Sequence, residues 1–398
     1  MNVRQTIALL LLLALYPCLS EAQKKELSQA RTYIKAGNNL EQAEKLMTGL
    51  LKDSANRKNE KIYQTWYESV HGQYEAANKR LYLKQKQDTA AFFELVRRQY
   101  TILETLDSLD ALPDGKGKVS LDYRDKHAQT LNALRPNLYN AGTFHIRKQA
   151  WAKAFEFMDA YLDCAVQPLF TTYNYQQNDT RMPEAAYWAT YAGFKMQDAD
   201  RTLRYAQQAL KDQSKAQFTY QYMAEAHRWK NDEHCYLEAL RDGFSHYPEF
   251  FYFFPRLSDY YMQHGQYKEA LDVANTAVAT NDQSVLFLLA QSTALLALER
   301  YEESIPVSDR IIELDESQAE AYFNAGSAYL NLALHLDENA DKARVKELCQ
   351  KARPYLEQYR QLVPDAIDKW GLPLYRVYLN LNMGRQFDEI DRLLKSKT

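Results

Sequence analysis

The sequence predicts an all-α fold, a solenoid of about ten stacked helix pairs, and three observations predict it. A pattern of small and aromatic side chains returns every 34 residues. Ala, Leu, Gln, Glu, Lys and Arg dominate, all good helix formers. Glycine and proline are scarce, 12 and 11 among 398 residues, about half their usual joint share. Long helices joined by short turns are what such a mixture builds, in one elongated repeat array or in two or three ordinary domains.

Residues 1–22 read as a secretory leader. Arg4 supplies the positive end, Ile7 to Leu15 a short apolar stretch, and Ser20-Glu21-Ala22 a small-x-small cleavage pattern before Gln23. The apolar stretch is too short to span a bilayer. Leu15-Tyr16-Pro17 ahead of Cys18 is bulky where lipid attachment wants small residues, which argues against a lipid anchor. No later segment resembles a membrane helix, so a periplasmic or secreted location is expected. Cleavage would leave Cys164, Cys235 and Cys349 in different repeats, read as small buried thiols and not a disulfide framework.

The formal charge of −3 gives no electrostatic case for nucleic acid. Lys79, Arg80, Lys84 and Lys86, with Arg97 and Arg98 after them, make a local basic stretch, read as an ordinary solvated face. The 30 tyrosines suit half-buried helix faces, because the ring packs and the hydroxyl stays at the rim.

The repeat is a small turn residue, an aromatic two later and a small residue three after that. Gly72-Gln73-Tyr74-Glu75-Ala76-Ala77 and Gly265-Gln266-Tyr267-Lys268-Glu269-Ala270 are its clearest copies. The last slot gives Ala43 and Ala77, 34 apart, and a second series that starts at Thr202 and continues through Tyr236, Ala270 and Ser304 in steps of 34. Ser292 and Gly326 keep the same phase in the preceding helix. Polar Thr202 and Ser304, and bulky Tyr236, predict slightly wider spacing in their pairs.

Phe254-x3-Ser258-x2-Tyr261 leading into Gly265-x-Tyr267-x2-Ala270-x3-Ala274-x2-Ala277, with Tyr322-x3-Gly326-x2-Tyr329 repeating the first half, resembles the tetratricopeptide repeat family. Pro248 and Pro364 occupy its closing proline slot. The resemblance is strong over 183–333 and looser elsewhere, and it implies a right-handed α-α superhelix. A clamp for acidic chaperone tails, known in that family, would need a Lys/Asn set. Asn324 matches one member, but Leu289 and Thr293 stand where Lys and Asn belong.

Helix pairs are expected over 26–53, 60–86, 89–135, 137–164, 183–211, 216–246, 250–280, 284–314, 318–363 and 369–396. The domain reading is a leader (1–22), degenerate N-terminal pairs (23–135) and a main solenoid with capping helices (136–398). Three insertions break the period: the loop signal Leu112-Pro113-Asp114-Gly115-Lys116-Gly117, the segment Gln167 to Met182, and His335 to Ala343. Pro306 and Pro354 read as early second-helix prolines. Pro255, after Phe250-Phe251-Tyr252-Phe253-Phe254, predicts a late helix start, with the aromatic run either buried between pairs or presented to a partner.

The chain contains no Gly-rich phosphate loop, no H-E-x-x-H, no G-x-S-x-G and no Cys-x2-Cys pair. No catalytic residue and no cofactor is therefore assigned. His227, His234 and Cys235 are the one tight group of metal-capable residues. His227 fills a slot that is Tyr in Tyr261 and Tyr329, so packing is expected there and no metal.

Repeats of this kind offer a concave wall built from the first helix of each pair, ordered before any partner arrives. The shared phase places Tyr139, Arg147, Tyr187, Tyr191, Phe194, Gln221, Glu225, Arg228, Trp229, Asp259 and Gln263 on or near it. Tyr187, Tyr191, Arg228 and Trp229 are the preferred group, through stacking and forked hydrogen bonds. The expected function is a non-enzymatic scaffold of the cell envelope that holds a protein or peptide partner. A glycan- or peptide-ligand module is the alternative, and an enzyme with a site assembled across repeats is the third reading. No nucleic acid and no integral membrane segment are expected, and the sequence leaves the oligomeric state open.

Overall fold

The computed structural model describes residues 23–113, 115–337 and 341–395. Among the described residues there is no strand. The expected leader with Cys18 lies outside them, as do Asp114 and part of the His335–Ala343 insertion. No helix is long and apolar enough to cross a membrane among the described residues.

The chain divides into two compact units, residues 1–230 and 231–398. The first holds α1 (23–36), α2 (Leu40–Leu50), α3 (Glu60–Tyr82), α4 (Thr89–Asp110), α5 (Arg124–Arg147), α6 (Trp151–Asp163), α7 (Tyr175–Asn178), α8 (Met182–Lys195), α9 (Ala199–Arg204), α10 (Ala206–Ala209) and α11 (Ala216–Trp229). The second holds α12 (Glu233–His246), α13 (Phe253–Gln263), α14 (Tyr267–Thr280), α15 (Val285–Ala297), α16 (Tyr301–Leu314), α17 (Ala319–Leu334), α18 (Lys342–Leu362), α19 (Ile367–Asn380) and α20 (Gly384–Lys395). Within each unit consecutive helices pack against one another, as a stack of helix pairs requires.

A shared turn closes most of the first helices. Gln149, Gln197, Gly265, Glu299 and Asn382 all adopt positive φ, between 55° and 67°. The next amide then bonds back to the last helical turn: Asp198 N to Gly193 O at 3.1 Å, Gln266 N to Tyr261 O at 2.8 Å, Arg300 N to Leu295 O at 2.9 Å. This satisfies carbonyls that the helix end would otherwise strand. Of these five positions only Gly265 is small, so the turn slot selects a conformation and not a residue size.

Of the repeat slots, Ala43, Ala77, Thr202, Ala270 and Ser304 lie in the core, and the bulky Tyr236 is half-buried. The wider spacing expected at Thr202 is not found. A Cβ on Gly193 would stand 2.5 Å from the Thr202 backbone nitrogen, so α8 and α9 touch backbone to backbone, glycine compensating for threonine. Nor does Ser304 hold its pair apart. Its hydroxyl donates to Ser292 O (3.0 Å), and Ser292, Ser308 and Asn324 complete a buried polar network.

Several sequence expectations are corrected. The Gly72–Ala77 copy marks no turn: α3 runs unbroken from Glu60 to Tyr82, and the hairpin turn comes at Lys84 (φ 55°). Gly72 is instead where Leu40 of α2 packs on α3. A helical segment without a breaker continues wherever neighbours cover it, and local resemblance to a turn does not stop it. The junction placed at 135/136 falls inside α5, which passes through Pro136. Pro354 sits deep in α18, which already starts at Lys342. Pro255 is the third residue of α13, in the first turn, where its missing amide costs nothing. Tyr252, Phe253 and Phe254 are buried, whereas Phe251 is 73% exposed.

The Gln167–Met182 insertion is packed and not loose. Leu169, Phe170 and Tyr175 are buried, and Arg135 of α5 reaches up to meet them. Its guanidinium lies 3.8 Å from the Tyr161 ring and 3.8 Å from the Tyr175 ring, and donates to Asp179 Oδ2 at 2.6 Å. The Tyr161 hydroxyl donates to the same oxygen. Cys164 and Cys349 are buried thiols, Cys235 is only half-buried, and no cysteine is paired among the described residues; burial pushes the Cys164 thiol up to about 12 and the Cys349 thiol up to about 11.

Candidate functional site

Tyr187, Tyr191 and Phe194 fall at helical spacing on α8, so their rings share one face. Tyr222 and Trp229 do the same on α11, two turns apart. The structure joins the two sets. Tyr222 lies 6.2 Å from Tyr187, 5.8 Å from Tyr191 and 4.4 Å from Phe194, and Phe194 stacks on Trp229 at 5.7 Å. Trp151, the first residue of α6, meets Tyr191 edge-on at 5.6 Å, and Trp188 meets Tyr187 edge-on at 5.1 Å. Offset and edge-to-face contacts of this kind hold rings in fixed orientations.

Burial sorts the run into two layers. Tyr187 (7% exposed) and Tyr222 (6%) form the backing. Burial raises both phenol pKa values above the usual range, so both hydroxyls stay neutral. Tyr191, Phe194, Trp151, Trp188 and Trp229 are half-buried and offer part of each ring to solvent. Cations rim the run: Lys195 Nζ lies 5.7 Å from the Trp151 ring and 5.8 Å from Tyr191, and Lys215 Nζ lies 5.3 Å from Tyr187.

The remaining residues expected on this wall are placed as follows. Tyr139 on α5 is half-buried; burial and a hydrogen bond to Glu184 push its phenol up to about 12, and Trp188 Nε1 donates to the same carboxylate at 3.4 Å. Glu225 is buried and accepts from Arg228 Nε at 2.9 Å, leaving the Arg228 stem exposed. Gln221 is half-buried on α11, and Arg147 ends α5 in solvent. Asp259 and Gln263 belong to the second unit, where both are exposed on α13. The structure thus brings Tyr187, Tyr191, Phe194 and Trp229 into one aromatic assembly, whereas the Tyr139 ring packs on Tyr161 at 5.7 Å and meets α8 through Glu184. Sequence phase missed Trp151, Trp188 and Tyr222; the seven-residue step from Tyr222 to Trp229 was the available signal.

Other sequence candidates resolve differently. Asn324 is buried, and its amide donates to the Ser292 and Thr293 hydroxyls at 3.2 and 3.0 Å, which uses up the group a chaperone-tail clamp would need. His234 is exposed beside Glu238, 3.5 Å away, and His227 is half-buried on α11.

No protein-family model matches the sequence, and no curated protein matches it. Among solved structures, YrrB, a tetratricopeptide repeat protein with an unusual peptide-binding site, is similar at a TM-score of 0.35 and 19% identity, over 49% of this chain and 92% of that one. The C-terminal part of a tetratricopeptide repeat-containing protein from Cytophaga hutchinsonii is similar at 0.39 and 11% identity, over 63% and 92%. Yeast Tom70 is similar at 0.33 and 12% identity, over 91% and 89%. Scores this low add nothing to the geometry already described. On its own helix pairs, the chain is an all-α helical-repeat protein.

Proposed function

We propose that this chain is a non-enzymatic interaction scaffold of the cell envelope, holding an extended peptide or protein segment along the aromatic run of α8 and α11. One observation carries the reading. Half-exposed Tyr191, Phe194 and Trp229 are backed by buried Tyr187 and Tyr222, so the surface presents rings that are already immobile. Binding such a surface loses little side-chain entropy, and aromatic anchors of this sort dominate interface energies. The leader-like residues 1–22 support export; mass spectrometry of the mature chain is expected to find Gln23 at its N-terminus.

The test combines photo-crosslinking from position 194 in intact cells with pull-downs using Tyr191→Ala plus Trp229→Ala. A protein adduct at 194 whose recovery falls at least tenfold in the double variant supports the reading. A glycan-array signal without any protein adduct would replace it with the carbohydrate alternative. Turnover of a substrate that survives both substitutions would reject it.

A further inference from the structure

The basic stretch 79–86 acquires a meaning from where the fold puts it. Leu40 of α2 packs on α3 at Gly72, yet α3 continues to Tyr82, roughly three helical turns or about 15 Å farther. The chain reverses at Lys84 (φ 55°), where the Gln85 amide bonds to Arg80 O at 2.9 Å, and α4 begins at Thr89. At this apex three consecutive apolar side chains stand in water: Leu81 is 37% exposed, Tyr82 84% and Leu83 52%. Lys79, Arg80, Lys84 and Lys86 flank them, and no carboxylate occurs between residues 76 and 87. Beside the apex, α2, α3 and α4 border a groove of about 730 Å³ lined by Lys45 and Arg80 together with Glu41 and with Arg98, whose charge is met by the Glu44 carboxylate at 2.7 Å, so the cations of the apex itself carry the local positive charge.

We propose that this apex docks on the surface of a membrane rich in anionic lipid, Tyr82 and its two leucine neighbours entering the headgroup boundary while the cations meet phosphates. A turn that presents apolar groups outward has no facing wall with which to enclose a peptide; it needs a medium that surrounds it. Tyr82 suits that boundary because its ring prefers the apolar side and its hydroxyl the wet side. Lysine stems lie along apolar surface while their ammonium groups stay among headgroups. A nucleic acid would satisfy the charges and leave Leu81 and Leu83 in water. The overall charge of −3 does not oppose docking, since at physiological salt a surface senses charges within about 8 Å.

The test is co-flotation of the mature full chain with vesicles of equal phosphatidylglycerol and phosphatidylcholine, against phosphatidylcholine alone. The mixed vesicles are expected to retain the protein and the neutral ones to release it, with binding lost at high salt. Each lysine near an anionic surface is worth about fivefold, so Lys79→Gln, Lys84→Gln and Lys86→Gln together should lower partitioning about a hundredfold. Tyr82→Ser plus Leu83→Ser should lower it at least tenfold with the thermal unfolding curve unchanged, because both side chains are exposed. Equal binding to neutral and anionic vesicles, or wild-type binding by either variant, overturns the proposal. Capture of duplex DNA in place of vesicles overturns it as well.

Discussion

The ring of Phe194 stacks on that of Tyr222 at 4.4 Å, joining the first helix of one pair to the next across a contact that is buried on one side and open on the other. Position in this layer decides what each substitution does. Tyr222→Ala is expected to cost about 3 kcal/mol of stability, the ordinary cost of emptying a buried aromatic site. Trp229→Ala should cost about 1 kcal/mol or less and yet weaken partner binding by tenfold or more. Urea unfolding of the two variants beside a crosslinking assay separates the two layers; equal stability losses would refute the layering.

Arg135 holds the 167–182 insertion through its ion pair with Asp179 and its place over the Tyr175 ring, so Arg135→Ala leaves Asp179 without its cation. A loss of about 3–5 kcal/mol follows from breaking a buried pair. Limited proteolysis should then cut within 167–182 first. Burial works against the Asp179 charge, but the Tyr161 hydroxyl and the Arg135 guanidinium outweigh it and hold the carboxyl below its usual range. A lowered native pKa gives stability that is present above the unfolded value and lost as pH falls. Acid titration of the wild type below about pH 4 should therefore show the loss, and Arg135→Ala should flatten it.

Glu104 behaves in the opposite sense. Burial, with repulsion from Asp163 added, raises its carboxyl to about 7. A native pKa above the unfolded one favours the protonated fold, so this contribution is complete below the ordinary carboxylate range and lost as pH rises through 7. Glu104→Gln, neutral at every pH, is expected to leave the urea midpoint unchanged near pH 4 and raise it at pH 8. The same midpoint shift at both values would contradict the assignment.

Gln197 closes α8 at a φ of 55°, a conformation that costs a side-chain-bearing residue about 1 kcal/mol. Gln197→Gly is expected to stabilise by up to about 1 kcal/mol, and Gln197→Val to destabilise by more, since a branched side chain tolerates that region poorly. Opposite shifts of the melting temperature check it.

The period was legible in the sequence because positions such as Ala43, Ala77 and Ala270 are buried between helices, and burial there restricts residue size. Glycine marks the turn at Gly265 and again at Gly37, which closes α1. At Gln149, Gln197 and Glu299 the same dihedral is imposed on ordinary residues, and residue identity carries no trace of it. The Gly72 copy misled for the converse reason: its glycine answers to Leu40 across the interface and not to a local bend. Of the aromatic run on α8 and α11, phase had placed Tyr187, Tyr191, Phe194 and Trp229 near one another, and their rings do pack together. Trp151 opens a second helix and lay outside any rule restricted to first helices.

Because each stop is written as a backbone angle tolerated by glutamine, asparagine, glutamate or glycine, the residue at those positions can drift without altering the turn. Each non-glycine stop withholds a small increment of stability, so the chain carries a distributed reserve that glycine replacements at Gln149, Gln197 and Glu299 would release together. Separated by whole repeats, the three increments should add.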